Sequence, residues 1–144
     1  MPQITVLYVE DHDLVLFTVK QLLELEGWRV QICRDGAQAL KLIASEDHFE
    51  LILLDSELPS VNGLELVRRA RRLPHRQATP IIIFTARDCA DEAAAVGANA
   101  CLKKPGGIKD LLDTCYRVLD MDMPGANEPK PQRRAANGAA NQMD

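Results

Sequence analysis

The run Leu51-Ile52-Leu53-Leu54 ends in Asp55 and is followed at once by turn chemistry, Ser56-Glu57-Leu58-Pro59 and then Asn62-Gly63. Four large apolar residues without polar alternation read as a strand buried on both faces, which requires a layer of helix above and below the sheet. A carboxylate that closes such a strand projects beyond the carboxyl ends of the strands, where open α/β sheets bind their ligands. A charge there is costly unless something pairs with it.

Short apolar runs alternate with helical patterns over residues 4–120. Ile4 to Val9 is β-rich and ends in Glu10-Asp11. A helix follows from about His12 to Glu26, with Val15, Val19 and Leu22 on one face and Gly27 as its stop. Trp28 to Ile32 reads as a second strand, and Asp35-Gly36 opens a helix with Ala37, Leu40, Ile43 and Ala44 inward. After the strand ending at Asp55, a third helix spans Leu64 to Leu73 with Leu64, Val67 and Ala70 buried. Pro80 introduces the strand Ile81 to Phe84, an alanine-rich helix runs from about Asp88 to Val96, and Asn99 to Leu102 is a brief fifth strand. The last helix, Ile108 to Leu119, turns Leu111, Leu112, Cys115, Val118 and Leu119 inward. Five strand-helix alternations predict an α/β fold: a doubly wound five-stranded parallel sheet with helices on both faces, flavodoxin-like.

At 144 residues the chain is long enough for one sizeable core, and 47% hydrophobic with 26% charged residues is ordinary globular usage. Residues 121–144 hold three acids and three bases and no apolar period, so the net charge of −4 belongs to residues 1–120. The two parts are read as a domain over 1–120 and a flexible, disordered tail over 121–144, too short to be an output domain. The acidic balance argues against direct nucleic-acid binding. No stretch has the length of a transmembrane helix and the N-terminus lacks the pattern of a signal peptide, so a cytoplasmic protein with no membrane partner is expected. Cys33, Cys89, Cys101 and Cys115 form no CxxC pair and read as reduced thiols.

In a parallel sheet the carboxyl ends of all strands share one rim. That rim collects Glu10-Asp11 after strand one, Asp55 after three, Thr85 after four and Lys104 after five. Three carboxylates repel one another, and a cation relieves them; hard oxygens with open positions suit Mg²⁺. Three carboxylates, Mg²⁺ and Lys104 sum to zero formal charge, which leaves room for phosphoryl chemistry. Asp55 would attack phosphorus as a carboxylate nucleophile and form an acyl phosphate. Mg²⁺ and Lys104 would offset charge on the transferring oxygens, and the Thr85 hydroxyl would hydrogen-bond one of them. Taken singly, Asp11 also fits a cap of the first helix.

The ordered set Glu10-Asp11, Asp55, Leu58-Pro59, Gly63, Thr85-Ala86 and Lys104-Pro105 resembles the receiver domain of two-component response regulators, of the single-domain, chemotaxis-regulator-like kind, over residues 4–120. The resemblance implies phosphotransfer to Asp55 from a histidine kinase or histidine phosphotransfer protein. It implies Mg²⁺ held by Glu10, Asp11 and Asp55 with the backbone carbonyl of Glu57, and a cis Lys104-Pro105 bond that aims the lysine. Such a chain is no enzyme beyond its own phosphotransfer and dephosphorylation, and acts as a monomer or weak homodimer on a downstream protein that the sequence does not name. Two other functions fit parts of the pattern: a receiver-like scaffold that is not phosphorylated, and a haloacid-dehalogenase-type aspartyl phosphatase, whose nucleophile follows its first strand and whose metal acids come late.

The chain departs from the family pattern at Cys101, where an aromatic residue usually stands three positions before the lysine. A smaller side chain leaves the switch to Thr85 and the loop beyond it. Gly106-Gly107 replaces the usual bulky residue after lysine-proline and is expected to loosen the start of the last helix. Glu57 and Arg87 are placed to pair across the mouth of the site. Arg68, Arg69, Arg71, Arg72 and Arg76 form a basic cluster read as a solvated face, with Glu65 at pairing distance from Arg68 or Arg69.

Overall fold

Apolar runs of four or five residues supply the strands, and the amphipathic segments between them supply crossover helices. The computed structural model describes residues 3–123, so the tail expected over 121–144 lies, from residue 124 onward, outside the described residues. In chain order the elements are β1 (Thr5–Val9), α1 (Asp13–Glu24), β2 (Arg29–Cys33), α2 (Gly36–Ala44), β3 (Leu51–Leu54), α3 (Gly63–Arg72), β4 (Ile81–Thr85), α4 (Ala90–Val96), β5 (Ala100–Lys103) and α5 (Ile108–Val118). All strands are parallel in the order β2-β1-β3-β4-β5. In this doubly wound order the winding of the crossovers reverses between β1 and β3, which opens a crevice at their carboxyl ends.

Alternation along the central strands feeds two cores. Leu7, Val9, Ile52, Leu54, Ile81 and Ile83 pack with α2, α3 and α4 on one face. Val6, Tyr8, Leu51, Leu53, Ile82 and Phe84 pack with α1 and α5 on the other. The five-stranded parallel sheet is thus as expected, while several helix faces are rotated from their expected positions. The fully buried stripe of α1 is Leu16, Val19 and Leu23, with Val15 and Leu22 at its margin. In α2 the buried residues are Gly36, Ala39 and Ile43, and Ala37 and Ala44 face solvent. In α3 Leu66 takes the place expected of Leu64, which is half-buried, and in α5 Thr114 and Tyr116 join Leu111 and Cys115.

The helix starts follow local side-chain chemistry. Asp35 caps α2 by accepting from the Ala37 and Gln38 amides at 2.7 and 3.1 Å, and Asn62 caps α3 by accepting from Glu65 at 3.0 Å. Gly36 is required because a Cβ there would lie 1.8 Å from the Val61 carbonyl oxygen, which seats the segment after β3 against the start of α2.

The basic cluster is not a uniform solvated face. Glu65 does pair with Arg68 and Arg69. Arg71, by contrast, donates to the carbonyls of Gly97, Arg76 and Thr79 and to the Asn99 side chain. Arg76 is only 2% exposed; it donates to the carbonyls of Leu42, Ile43, Ser45 and Asp47 and lies over the Phe49 ring at 5.0 Å. It stands beyond α3 in a short 3-10 turn, Pro74–Arg76, which aims it into the end of α2.

Arg76→Leu therefore leaves several carbonyls at the end of α2 without their donor and is expected to cost about 2–4 kcal/mol in urea denaturation. Tyr8→Phe removes the one buried side-chain polar atom that lacks a partner among the described residues. Its expected effect is between none and a gain of about 1 kcal/mol.

Candidate functional site

The crevice between β1 and β3 is where the acids converge. Glu10 is fully buried and Asp11 exposed at the end of β1, Asp55 follows β3, and one ligand oxygen from each lies within 4.8 Å of the others. Asp11 does not cap α1: the cap position is His12, whose side chain makes no capping bond. The loop after Asp55 folds back so closely that a Cβ on Gly63 would lie 2.0 Å from the Asp55 carbonyl oxygen, and the Gly63 amide donates to Ser56 at 2.9 Å. That return fixes where the Asp55 side chain points.

Lys104 reaches the crevice from the end of β5. Its Nζ donates to Glu10 Oε1 at 2.6 Å and Asp55 Oδ2 at 3.0 Å, and its head lies 5.6 Å from the Phe84 ring centre. The Lys104-Pro105 bond is cis, as the resemblance implied. The other Asp55 oxygen, Oδ1, accepts from the Glu57 amide at 3.0 Å, and Glu10 Oε2 accepts from the His12 amide at 3.2 Å. The two halves of the Lys104–Glu10 pair respond unequally. Burial pushes the Glu10 carboxyl above its ordinary value despite the hydrogen bond and charge of Lys104. Burial acts to lower Lys104, but its bonds to Glu10 and Asp55 outweigh that and hold it above the usual lysine value. The ammonium is stabilised by two anions, whereas Glu10 has to share one cation.

Glu10, Asp11, His12, Val15, Asp55, Glu57, Ala86 and Lys104 line an open cleft of about 410 Å³. Four carboxylates and one ammonium leave a formal charge of −3 in it. Hard oxygen donors, one partly solvated acid and space for waters suit a divalent cation such as Mg²⁺. Five of the six expected site residues, Glu10, Asp11, Asp55, Glu57 and Lys104, thus meet in one cleft. Thr85 is the sixth and is fully buried; its Oγ1 lies 2.8 Å from Ser56 Oγ and accepts a long bond from the Arg87 amide at 3.4 Å. Ser56 is a site residue that the sequence reading passed over. Its place beside Asp55 was the available signal, but its partner is set by the pairing of β3 with β4.

At the mouth, Arg87 stands 3.9 Å from Glu57 and closer, 2.9 Å, to Glu92, so the expected pair exists as part of a three-residue chain of charge. Gly107 is not a point of looseness: its amide donates to the Lys103 carbonyl at 2.6 Å, and a Cβ there would meet that oxygen at 2.8 Å. Cys101 is half-buried on β5, with its sulfur 3.3 Å from that of Cys89.

The family model of the response regulator receiver domain matches residues 6–116. An uncharacterized transcriptional regulatory protein, YkoG, of Bacillus subtilis is 37% identical over 110 residues, covering 74% of this chain and 47% of that protein. The response regulator MprA of Mycolicibacterium vanbaalenii is 34% identical over 130 residues, covering 87% of this chain and 55% of that one. The chain thus spans about half the length of these curated relatives. A CheY-like receiver domain protein from Methanospirillum hungatei superposes with a TM-score of 0.75 at 31% identity, over 83% of this chain and 95% of that one.

Removing the cation tests the electrostatics directly. Lys104→Met leaves buried Glu10 facing Asp55, and in chelator is expected to lose about 2–4 kcal/mol of stability. Adding Glu10→Gln to Lys104→Met should restore part of that loss, read as a coupling energy from urea denaturation of the four proteins of the cycle.

Proposed function

The chain belongs to the response regulator receiver domain family, and from that premise we propose that it is a phosphoacceptor signalling module whose acceptor is Asp55. The donor is the phosphohistidine of a histidine kinase or histidine phosphotransfer protein. A carboxylate oxygen of Asp55 attacks phosphorus, the bond from phosphorus to the imidazole nitrogen breaks, and a mixed anhydride forms on Asp55. The observation that carries this reading is the Lys104 ammonium bonded at once to Glu10 and Asp55, beside exposed Asp11, in one open cleft. From there Lys104 is poised to meet oxygens of the incoming group. Glu10, Asp11 and Asp55, with the backbone carbonyl of Glu57, would hold Mg²⁺, which supplies positive charge opposite Lys104. The Glu57 amide orients the acceptor through Asp55 Oδ1.

Thr85 has a further task in this reading. Its hydroxyl, now bound to Ser56, has to leave that partner to bond a phosphoryl oxygen. The movement passes into the loop after β4 and so changes the surface offered to a downstream protein. Residues 1–120 constitute the receiver unit, acting in the cytoplasm as a monomer or weak homodimer. Among the described residues no helix is long and apolar enough to cross a membrane.

Incubation with Mg²⁺ and acetyl phosphate is expected to add one phosphoryl group, seen by intact mass, that is absent without Mg²⁺ and in Asp55→Asn. Continuous turnover of phosphomonoesters would instead favour the phosphatase, and no labelling the unphosphorylated scaffold. Replacing Glu57 and Arg87 together by alanine removes an exposed pair, which contributes about 0–1 kcal/mol. The acyl phosphate is then expected to decay faster by up to about fivefold, measured as loss of label after the donor is removed.

A further inference from the structure

Two of the four cysteines touch, although twelve residues separate them. Cys89 stands immediately before α4, at the end of the loop that leaves Thr85; Cys101 lies on β5 and is half-buried against the same core. Their sulfurs are 3.3 Å apart. Cys33 instead bonds the Asp35 carbonyl, and Cys115 is sealed in the opposite core. A disulfide needs its sulfurs at about 2.05 Å, so closure asks for a shift of only about 1.2 Å. Cys89, though nearly covered, lines a surface hollow of about 370 Å³ with Asp88, Ala90, Asp91 and Glu92. That rim is acidic. It disfavours an anionic oxidant such as glutathione disulfide and leaves a small neutral one unopposed.

We propose that Cys89 and Cys101 form an oxidation site that a hydroperoxide converts to an intramolecular disulfide, stapling the loop after Thr85 to β5. Cys89 sulfur attacks the peroxide, the O–O bond breaks, and Cys89 sulfenic acid forms with release of one water (an alcohol for an organic peroxide). Cys101 sulfur then displaces the hydroxyl, losing its proton, and a second water leaves as the S–S bond forms. Two thiols and one peroxide thus yield one disulfide, the sulfurs giving up two electrons to the peroxide oxygens. The order of the two sulfurs follows from their surroundings. Cys89 lines the hollow and Cys101 does not, while burial, then the hydrogen bond it shares with Cys89, pushes the Cys101 thiol up, so Cys101 acts second.

The consequence for signalling rests on the phosphoacceptor reading. Thr85 already accepts from the Lys104 amide through its carbonyl at 2.8 Å, which ties the near end of the loop to the segment after β5. A Cys89–Cys101 bond ties the far end to β5 as well. Only Ala86, Arg87 and Asp88 lie between, so in the oxidised form the loop has little freedom to follow the Thr85 hydroxyl. Phosphorylation of Asp55 would proceed while its surface readout is damped.

The test treats the full chain with hydrogen peroxide, unfolds it, alkylates the remaining thiols and digests it with trypsin. Cleavage after Arg87 and Lys103 leaves both cysteines in peptide 88–103. The expected result is that this peptide is unalkylated and lighter by two hydrogens, that two of the four thiols are lost, and that dithiothreitol restores them. A Cys33→Ser/Cys115→Ser double variant should behave identically, and glutathione disulfide should react more slowly than peroxide. Added oxygen on either sulfur with no S–S bond, four alkylated thiols, or links through Cys33, Cys115 or a second chain would each overturn the proposal. For the consequence, hydrogen exchange of residues 86–89 should respond to acetyl phosphate and Mg²⁺ in the reduced protein and much less in the oxidised one; equal responses would overturn it. The disulfide is read without a phosphodonor and Asp55 labelling without peroxide, so failure of one is separable from failure of the other.

Discussion

The Lys104 ammonium is the contact on which the rest of the rim depends. It joins the end of β5 to the ends of β1 and β3 by bonds of 2.6 and 3.0 Å, crossing β4 between them. Without it a fully buried Glu10 would face Asp55 unneutralised, an arrangement whose desolvation cost the surrounding apolar strands do nothing to repay. With it the rim is held together but under-neutralised, since one ammonium faces four carboxylates and bonds two of them. Burial holds the Glu10 carboxyl above its ordinary value despite Lys104, and Lys104, against its own burial, is held above its ordinary value by Glu10 and Asp55. A site poised in this way has a standing electrostatic demand for a cation, and the open cleft next to Asp11 is where that demand can be met.

Topology explains why the acids and the lysine meet while remaining far apart along the chain. In the order β2-β1-β3-β4-β5, β1 and β3 are neighbours whose crossovers run to opposite faces, so neither α1 nor α3 covers the crevice between their ends. Glu10 and Asp11 arrive from one wall and Asp55 from the other. The glycines then set precision: Gly63 lets the loop after β3 close on Asp55, and Gly36 lets that loop lie against α2. A Cβ at either position would collide with backbone and displace the segment after β3.

The gathering of these residues on one rim was legible in the sequence because each follows directly from a strand end, and strand ends in a parallel sheet need no tertiary information to be placed. The Asp55 run, the Glu10-Asp11 pair and the Lys104-Pro105 step are all of that kind. What depended on the phase of a helix was harder to read: in α1 a shift of one residue exchanges Val15 and Leu22 for Leu16 and Leu23 with almost the same apolar periodicity, and in α2 Ala39 is buried while Ala37 and Ala44 face out. What depended on neighbours across strands was not visible at all. Ser56 meets Thr85 only because β3 pairs with β4, and Cys89 meets Cys101 only because α4 returns the chain to β5. Arg76 was misread for a related reason. Proximity to other arginines in sequence says nothing of the 3-10 turn that sends it inward to four carbonyls.

For the proposed phosphoacceptor, the absence of a large aromatic side chain at position 101 would shift the burden of readout onto smaller elements. An aromatic ring that changes place alters a surface by its own bulk, whereas half-buried Cys101 has little bulk to move. In the proposed reading, a signal from Asp55 travels through the Thr85 hydroxyl into the loop 86–89. There it meets charges rather than rings: Arg87 is shared between Glu57 and Glu92, and Asp88 pairs with Lys103 on β5. These pairs are exposed and individually weak, so a small displacement of the loop can redistribute them at little cost. A readout made of exchangeable ion pairs on a short loop is sensitive to whatever fixes that loop in place. For that reason the sulfur pair at its far end matters more here than the packing of two small side chains would suggest.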